Sequence, residues 1–173
     1  MVPTLETERL ILRGYRPDDL DDVAAMWADP DVTRHITGAP SSREDSWGRI
    51  LRYAGHWALM GFGYWLLEEK VSGRYAGDAG FGDFKRGVSP EFAGRPEHGW
   101  SLAPWARGRG YATEALRAQL DWAANHFDAD AVVCMISVEN APSLKLAERV
   151  GYASFGRAAY RDADNLLLRR PLR

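Results

Sequence analysis

The spacing of apolar and polar positions along the chain changes several times, and each change marks a predicted element. Glu8 to Arg13 (ERLILR) reads as a short first strand. Asp18 then stands as an N-cap before Leu20, Val23, Ala24 and Trp27 at helical spacing, with Pro30 ending that helix. Ser41 and Glu44 have the spacing of a capping box. They precede a second helix whose apolar stripe is Trp47, Ile50, Leu51, Ala54 and Ala58, broken by Gly61 and Gly63. Tyr64 to Leu67 and Tyr75 to Phe84 read as strand and strand, turning at Ser72-Gly73. Val88 to Glu97, with Pro90, Gly94 and Pro96, predicts a loop, and His98 to Leu102 a further strand.

Helical spacing returns from Gly110 to Phe127, where Ala112, Ala115, Leu116, Leu120, Ala123 and Phe127 share one broad face. Ala131 to Val138 (AVVCMISV) is almost continuously apolar, the pattern of a strand covered on both faces. Ala141 to Val150 predicts a short helix, with Pro142 tolerated in its first turn and Gly151 at its C-terminal end. Two strands finish the chain, one beginning near Tyr152 and one from Leu166 to Arg169. The predicted order is β-α-α-β-β-β-α-β-α-β-β. It describes one mixed α/β domain over residues 1–173, with a β-α-β unit from His98 to Val138.

Composition narrows the function classes. A net charge of −2 gives no basic excess for nucleic acid. No apolar run reaches the roughly 18–20 residues of a membrane span, and the N-terminus lacks a signal-peptide pattern. The single cysteine, Cys134, lies in an apolar run, and its neighbours Val132, Val133, Met135 and Ile136 mark it as a core thiol rather than a nucleophile. These features point to a cytoplasmic protein. The four histidines are scattered without metal-ligand spacing, so no metal site is expected.

The segment Leu102 to Ala115 (LAPWARGRGYATEA) carries the chemistry. A strand runs into a loop bearing Gly108 and Gly110, and a helix starts at once. Unpaired N–H groups and the positive end of the helix dipole meet Arg107 and Arg109 there, a combination suited to phosphate or pyrophosphate. A P-loop would need Gly-Lys-Ser/Thr, which is absent. A dinucleotide fingerprint would need a third glycine where Thr113 stands and an acid about 20 residues on. Glu139 is too distant, and too little chain follows for a doubly wound sheet.

Arg107 to Ala112 (RGRGYA) resembles the R/Q-x-x-G-x-G/A loop of the GNAT acetyltransferases, which binds the pyrophosphate of coenzyme A. Three further blocks resemble the Rim-type ribosomal-protein alanine acetyltransferases within that superfamily: ETERLILR at the start, EHGWSLAP, and ENAPSLKLAERVGY. The resemblance covers nearly the whole chain. It implies the GNAT fold, with a mixed sheet of about seven strands and about four flanking helices, and acetyl-CoA as co-substrate. It implies pyrophosphate binding by Arg107, Gly108, Arg109, Gly110, Tyr111, Ala112 and Thr113. Backbone groups of Leu102 and Ala103 would meet the pantetheine arm where their strand splays from the next, and a backbone N–H near Leu102 would hold the oxyanion.

Asn140 and Ser143 match the last block; Asn140 also has the position of a helix N-cap, and Ser143 would reach the cofactor sulfur. An alkyl amine has a pKa of about 10, so a base must take its proton near neutral pH. Glu97, in the E-x-G block, is the candidate, and strand alternation points His98 the other way. Many members place a tyrosine where this chain has Ala147, which leaves Ser143 or Tyr152 to protonate the leaving thiolate.

The resemblance places the acceptor between the first helices and the adjoining strands. Trp27, Trp47, Tyr53, Trp57, Phe81 and Phe84 divide there between core and pocket, with Trp47 read as core. Asp29, Asp31, Glu44 and Asp45 are candidates to attract a cationic amine. The expected function is direct acetyl transfer to a primary amine, on a protein N-terminus or a small molecule. The alternative is an inactive acyl-CoA sensor or partner-binding module of the same fold. Homodimers are common in the family.

Overall fold

In the computed structural model, which describes residues 1–173, the first predicted strand is a pair. β1 (Leu5–Glu6) turns through Thr7–Arg9 into β2 (Leu10–Arg13). A 3-10 turn at Pro17–Asp19 leads into α1 (Leu20–Trp27), so Asp18 lies inside the turn and Asp19 takes the cap position. Pro30 starts an element instead of ending one. It is the first residue of a short helix, α2 (Pro30–Thr33), capped by Asp29, whose carboxylate accepts from the Asp31 N–H at 2.8 Å. Proline lacks the N–H that a first helical position leaves unused, so it fits there.

The long helix α3 (Arg43–Met60) is capped by Ser42 and Asp45, one residue beyond the predicted pair, and ends at Gly61 with φ +74°. Its inner face is Ser46, Ile50 and Tyr53, while Trp47 and Leu51 face solvent. β3 (Tyr64–Glu69), β4 (Tyr75–Gly82) and β5 (Glu97–Leu102) follow, then α4 (Tyr111–His126), β6 (Ala131–Ser137), α5 (Ala141–Arg149), β7 (Ala153–Tyr160) and β8 (Ala163–Pro171).

The strands form one sheet in the order β1-β2-β3-β4-β5-β6-β8-β7, antiparallel except where β5 meets β6. That parallel step is the predicted β-α-β unit, closed by α4. The main core packs α4 and α5 against the sheet through Leu116, Leu120, Val132, Cys134 and Ala147, all buried. A second apolar cluster, Val23, Met26, Trp27, Ile50 and Leu66 among it, seats α1 and α3. No helix is long and apolar enough to cross a membrane.

One feature of the sheet positions the site. β5 pairs with β4 along all of Glu97 to Leu102. It meets β6 at a single register position, Glu97 opposite Val133. Beyond Glu97 the two strands separate, leaving the backbone of both strands unpaired toward the gap.

Candidate active site

The gap between β5 and β6 opens into two cavities. The first holds the glycine loop. β5 ends at Leu102, a 3-10 turn spans Pro104–Ala106, and Trp105 Nε1 donates to the Tyr75 carbonyl at 3.0 Å, tying the turn to β4. Gly108 and Gly110 then take φ +72° and +83°, a left-handed conformation that glycine adopts without strain. Gly110 is the N-cap of α4 and supplies no capping side chain. The N–H groups of the first turn, at Tyr111 to Thr113, are thus left as donors with the dipole behind them.

This cavity, about 730 Å³, is lined by Arg107, Gly108 and Gly110 to Thr113, with Leu102 at its inner end. Arg107 folds over the loop, its Nε donating to the Leu102 carbonyl at 3.3 Å and its Nη2 to that of Asp31 at 3.4 Å. Two of the expected cofactor residues do not line this cavity. Arg109 turns away, its Nε donating to the Trp105 carbonyl at 3.0 Å, and does not line the cavity. Ala103 is buried with both backbone groups used: its N–H donates to Ala76 at 2.9 Å and its carbonyl accepts from Ala106 at 2.9 Å. A basic residue overlooked in the sequence stands beside the loop. Arg149, at the end of α5, donates to the Thr113 hydroxyl at 3.4 Å and lines the cavity. Its place follows from α5 lying beside α4, which spacing does not reveal.

The second cavity, about 680 Å³, is lined by Glu97, and also by Trp27, Tyr53, Tyr64 and Phe84. Glu97 is 12% exposed and lies 3.3 Å from Arg86 Nε. Burial raises its proton affinity above the usual carboxylate range, and the Arg86 charge partly opposes this. Tyr64, not singled out by the sequence, stacks on Tyr53 with ring centres 4.3 Å apart. A Cβ at Gly99 would stand 2.0 Å from the Tyr64 hydroxyl, so the glycine of the E-x-G block is what admits that phenol to the strand surface.

Trp100, Ser101, Asn140 and Ser143 line both cavities, so the two join across the splayed strands. Asn140 is the cap of α5, its side-chain carbonyl accepting from the Ser143 N–H at 3.3 Å.

His98 lies on the opposite side of β5 from Glu97. It is buried against Tyr152, whose hydroxyl is 2.8 Å away. Tyr152 is committed to that contact and lines neither cavity, which removes it as a proton donor to the thiolate. Ala147 is core. Cys134 is buried, and burial pushes its thiol further from ionisation. Among the aromatics, Trp57 and Phe81 pack in or against the core, and Trp47 is surface. Asp29, Asp31, Glu44 and Asp45 do not line the Glu97 cavity. Asp45 caps α3, and Asp31 pairs with Arg34.

The model of the acetyltransferase (GNAT) domain matches residues 9–153 of this chain, a span that includes the loop, Glu97 and Ser143. The chain belongs to the GNAT acetyltransferase family. Members of the family use acetyl-CoA. This GNAT chain is similar to an uncharacterized N-acetyltransferase, p20, of Bacillus licheniformis, 26% identical over 88% of this chain and 84% of that protein. A solved GNAT-family protein from Bordetella pertussis is 32% identical, with a TM-score of 0.85 over 97% of this chain and 99% of the other. A Rim-type ribosomal L7/L12 alpha-N-protein acetyltransferase, solved with coenzyme A, shares the fold. Its TM-score is 0.80 at 16% identity, over 98% of each chain. The observed sheet has eight strands and five helices, one of each more than the resemblance implied.

Proposed function

We propose that this protein transfers the acetyl group of acetyl-CoA to a primary amine by direct attack within a ternary complex. The observation that carries the reading is the junction of a phosphate-suited cavity with a carboxylate-bearing one across the β5–β6 gap. The loop cavity fits a coenzyme A pyrophosphate: unpaired N–H groups at Tyr111 to Thr113, the open backbone of Gly108 and Gly110, and the charges of Arg107 and Arg149 converge on it. Leu102 borders the path toward the gap. Bound there, acetyl-CoA supplies an activated acyl group as a thioester.

Glu97 takes the proton of the attacking amine, directly or through a water. Ser143 donates a proton to the leaving thiolate, a role supported by its position in the lining of both cavities. Nitrogen attacks the thioester carbonyl, the C–S bond breaks, and the thiolate gains a proton as the amide forms. The alternative, an acyl-CoA sensor, draws support from Ala147 in the core, where many family members carry a tyrosine.

Calorimetry with acetyl-CoA and a thiol-release assay across a panel of amines separate the two. Binding with thiol release for at least one amine supports transfer; binding with no release for any amine supports the sensor. Gly110→Asp is expected to abolish acetyl-CoA binding by facing a carboxylate toward the pyrophosphate. Gly110→Ala is the control for strain, because a Cβ there meets Arg9 Nη2 at 3.3 Å and φ is positive. Unchanged affinity in Gly110→Asp would remove the loop from the binding site.

A further inference from the structure

The cavity around Glu97 has a charge balance that amine acetylation alone does not require. Six basic side chains line it, Arg34, Arg49, Arg52, Lys85, Arg86 and Arg161, against three acids, Asp83, Glu97 and Glu139. Pairing absorbs part of this. Lys85 lies 2.6 Å from Asp83, Arg86 lies 3.3 Å from Glu97, and Arg34 pairs with Asp31. Arg49, Arg52 and Arg161 have no carboxylate partner.

Arg49 is the most constrained of these. It projects from α3 so that its guanidinium carbon stands 3.4 Å from the centre of the Trp27 ring. Its Nε is buried and has no hydrogen-bond partner. Trp27 is itself fixed: its Nε1 donates to Asp78 at 2.8 Å. Asp78, fully buried on β4, also accepts from the hydroxyls of Tyr15 and Tyr75. The indole is therefore a rigid plate, and the guanidinium stands over it. A permanently charged fork with an unmatched buried donor is preorganised for an oxyanion. Tyr64 lines the same cavity, its hydroxyl over Gly99, two residues from the proposed base.

We infer that the acceptor is a primary amine that also carries a carboxylate, the charge pattern of an amino acid, with Arg49 receiving the carboxylate while Glu97 faces the amine. This rests on the acetyl-transfer reading above. A polyamine would bring only positive charge to an already basic wall, and an amino sugar would leave Arg49 unmatched. The cavity volume, about 680 Å³, suits a small molecule.

The test is calorimetric binding of acceptors to the CoA-loaded protein, with thiol release from acetyl-CoA measured in parallel. The panel is the proteinogenic amino acids, their α-amides, a short peptide with a free amine and an acidic second residue, and spermidine. The best acid is expected to bind, and to give kcat/KM, at least about ten-fold better than its amide, with spermidine weaker than both. The peptide arm shows whether the carboxylate is that of a free amino acid or of a side chain near a chain terminus. Arg49→Gln is expected to remove the preference for acid over amide while leaving CoA affinity unchanged. Should that variant not fold, the comparison of acid with amide in the unaltered protein decides, and exposed Arg52→Gln reports a smaller loss in the same direction.

An amide or spermidine equal to or better than every acid overturns the inference, as does a panel in which no acid binds. Thiol release with a neutral or cationic amine would then leave acetyl transfer standing without it. Absence of CoA binding would bring down both.

Discussion

Glu97 sits where two opposing effects set its basicity. Burial disfavours the carboxylate, Arg86 favours it, and burial prevails, so its proton affinity is raised. A base of raised proton affinity removes an ammonium proton more readily, provided it is itself deprotonated. Activity should therefore rise as pH climbs through its elevated pKa. An amine of pKa about 10 is only about 0.1% neutral at pH 7, so solvent alone supplies little free amine. Glu97→Gln is expected to lower kcat/KM about 100-fold at pH 7, with the deficit shrinking as the pH approaches that of the free amine. A wild-type to variant ratio that stays flat with pH would show that Glu97 takes no part in proton removal. Glu97 was singled out by the E-x-G block, two residues before Gly99, although the sequence put it at the end of a loop and the structure puts it in β5. Arg49 and Tyr64 were not. Each belongs to an element far from β5 in sequence, and only the folding of α3 and β3 over that strand brings them to it. Arg109 shows the converse: an arginine beside a phosphate loop is free in sequence, but here its Nε donates to the Trp105 carbonyl and its side chain does not line the loop cavity.

The joint between the β1–β2 turn and the first turn of α4 sets the loop's shape. Glu114 accepts from the Thr7 hydroxyl at 2.5 Å, the Arg9 N–H at 2.7 Å and Arg9 Nε at 2.7 Å, while Arg9 Nη1 donates to the Arg109 carbonyl at 2.8 Å. The opening ETER block and the TE pair after the glycine loop are thus two halves of one clamp, which accounts physically for their joint presence. Glu114→Gln keeps the shape but weakens the charge-assisted bonds. Arg9 is 42% exposed, so solvent screens much of the ion pair. A stability loss of roughly 1 kcal/mol, a drop of about 2–4 °C in Tm, is expected, together with acetyl-CoA binding about three- to ten-fold weaker. Calorimetry that finds binding unchanged at an unchanged Tm would show that the clamp does not hold the loop. Elements with a single dominant period were readable in advance, notably α4 and the doubly covered strand β6. Two features were not. α3 turns its Ser46, Ile50 and Tyr53 face inward and leaves Trp47 on the surface. Pro30 gives the same local signal for stopping one helix and starting another, and only the Asp29 cap decides between them.

On the scale of the whole molecule, β5 is the strand on which both faces of the protein depend. Its cavity side carries Glu97, and its core side carries His98, 2% exposed between Phe81, Tyr152 and Gln119. The Gln119 side-chain oxygen lies 3.0 Å from Nε2 and the Tyr152 hydroxyl 2.8 Å from Nδ1, partners that a neutral ring can satisfy with one donor and one acceptor. Burial disfavours the charged ring and lowers the His98 pKa from 6.5 to about 4. Between those values the unfolded chain binds a proton that the folded protein refuses, so stability rises with pH across that window. Acidification should begin to destabilise the fold near pH 6.5 and complete this contribution near pH 4, with a total of about 3 kcal/mol as an upper figure. Carboxylates held low by their partners, Asp19 and Glu114 among them, contribute at more acid pH, while Glu97 and Asp78, raised by burial, act with the opposite sign, so the His98 share is read from the difference between wild type and variant. Urea unfolding at pH 7 and pH 5 measures it. His98→Gln is expected to be less stable at both values yet to lose markedly less on going from one to the other. An equal loss in the variant would mean that the acid sensitivity arises elsewhere.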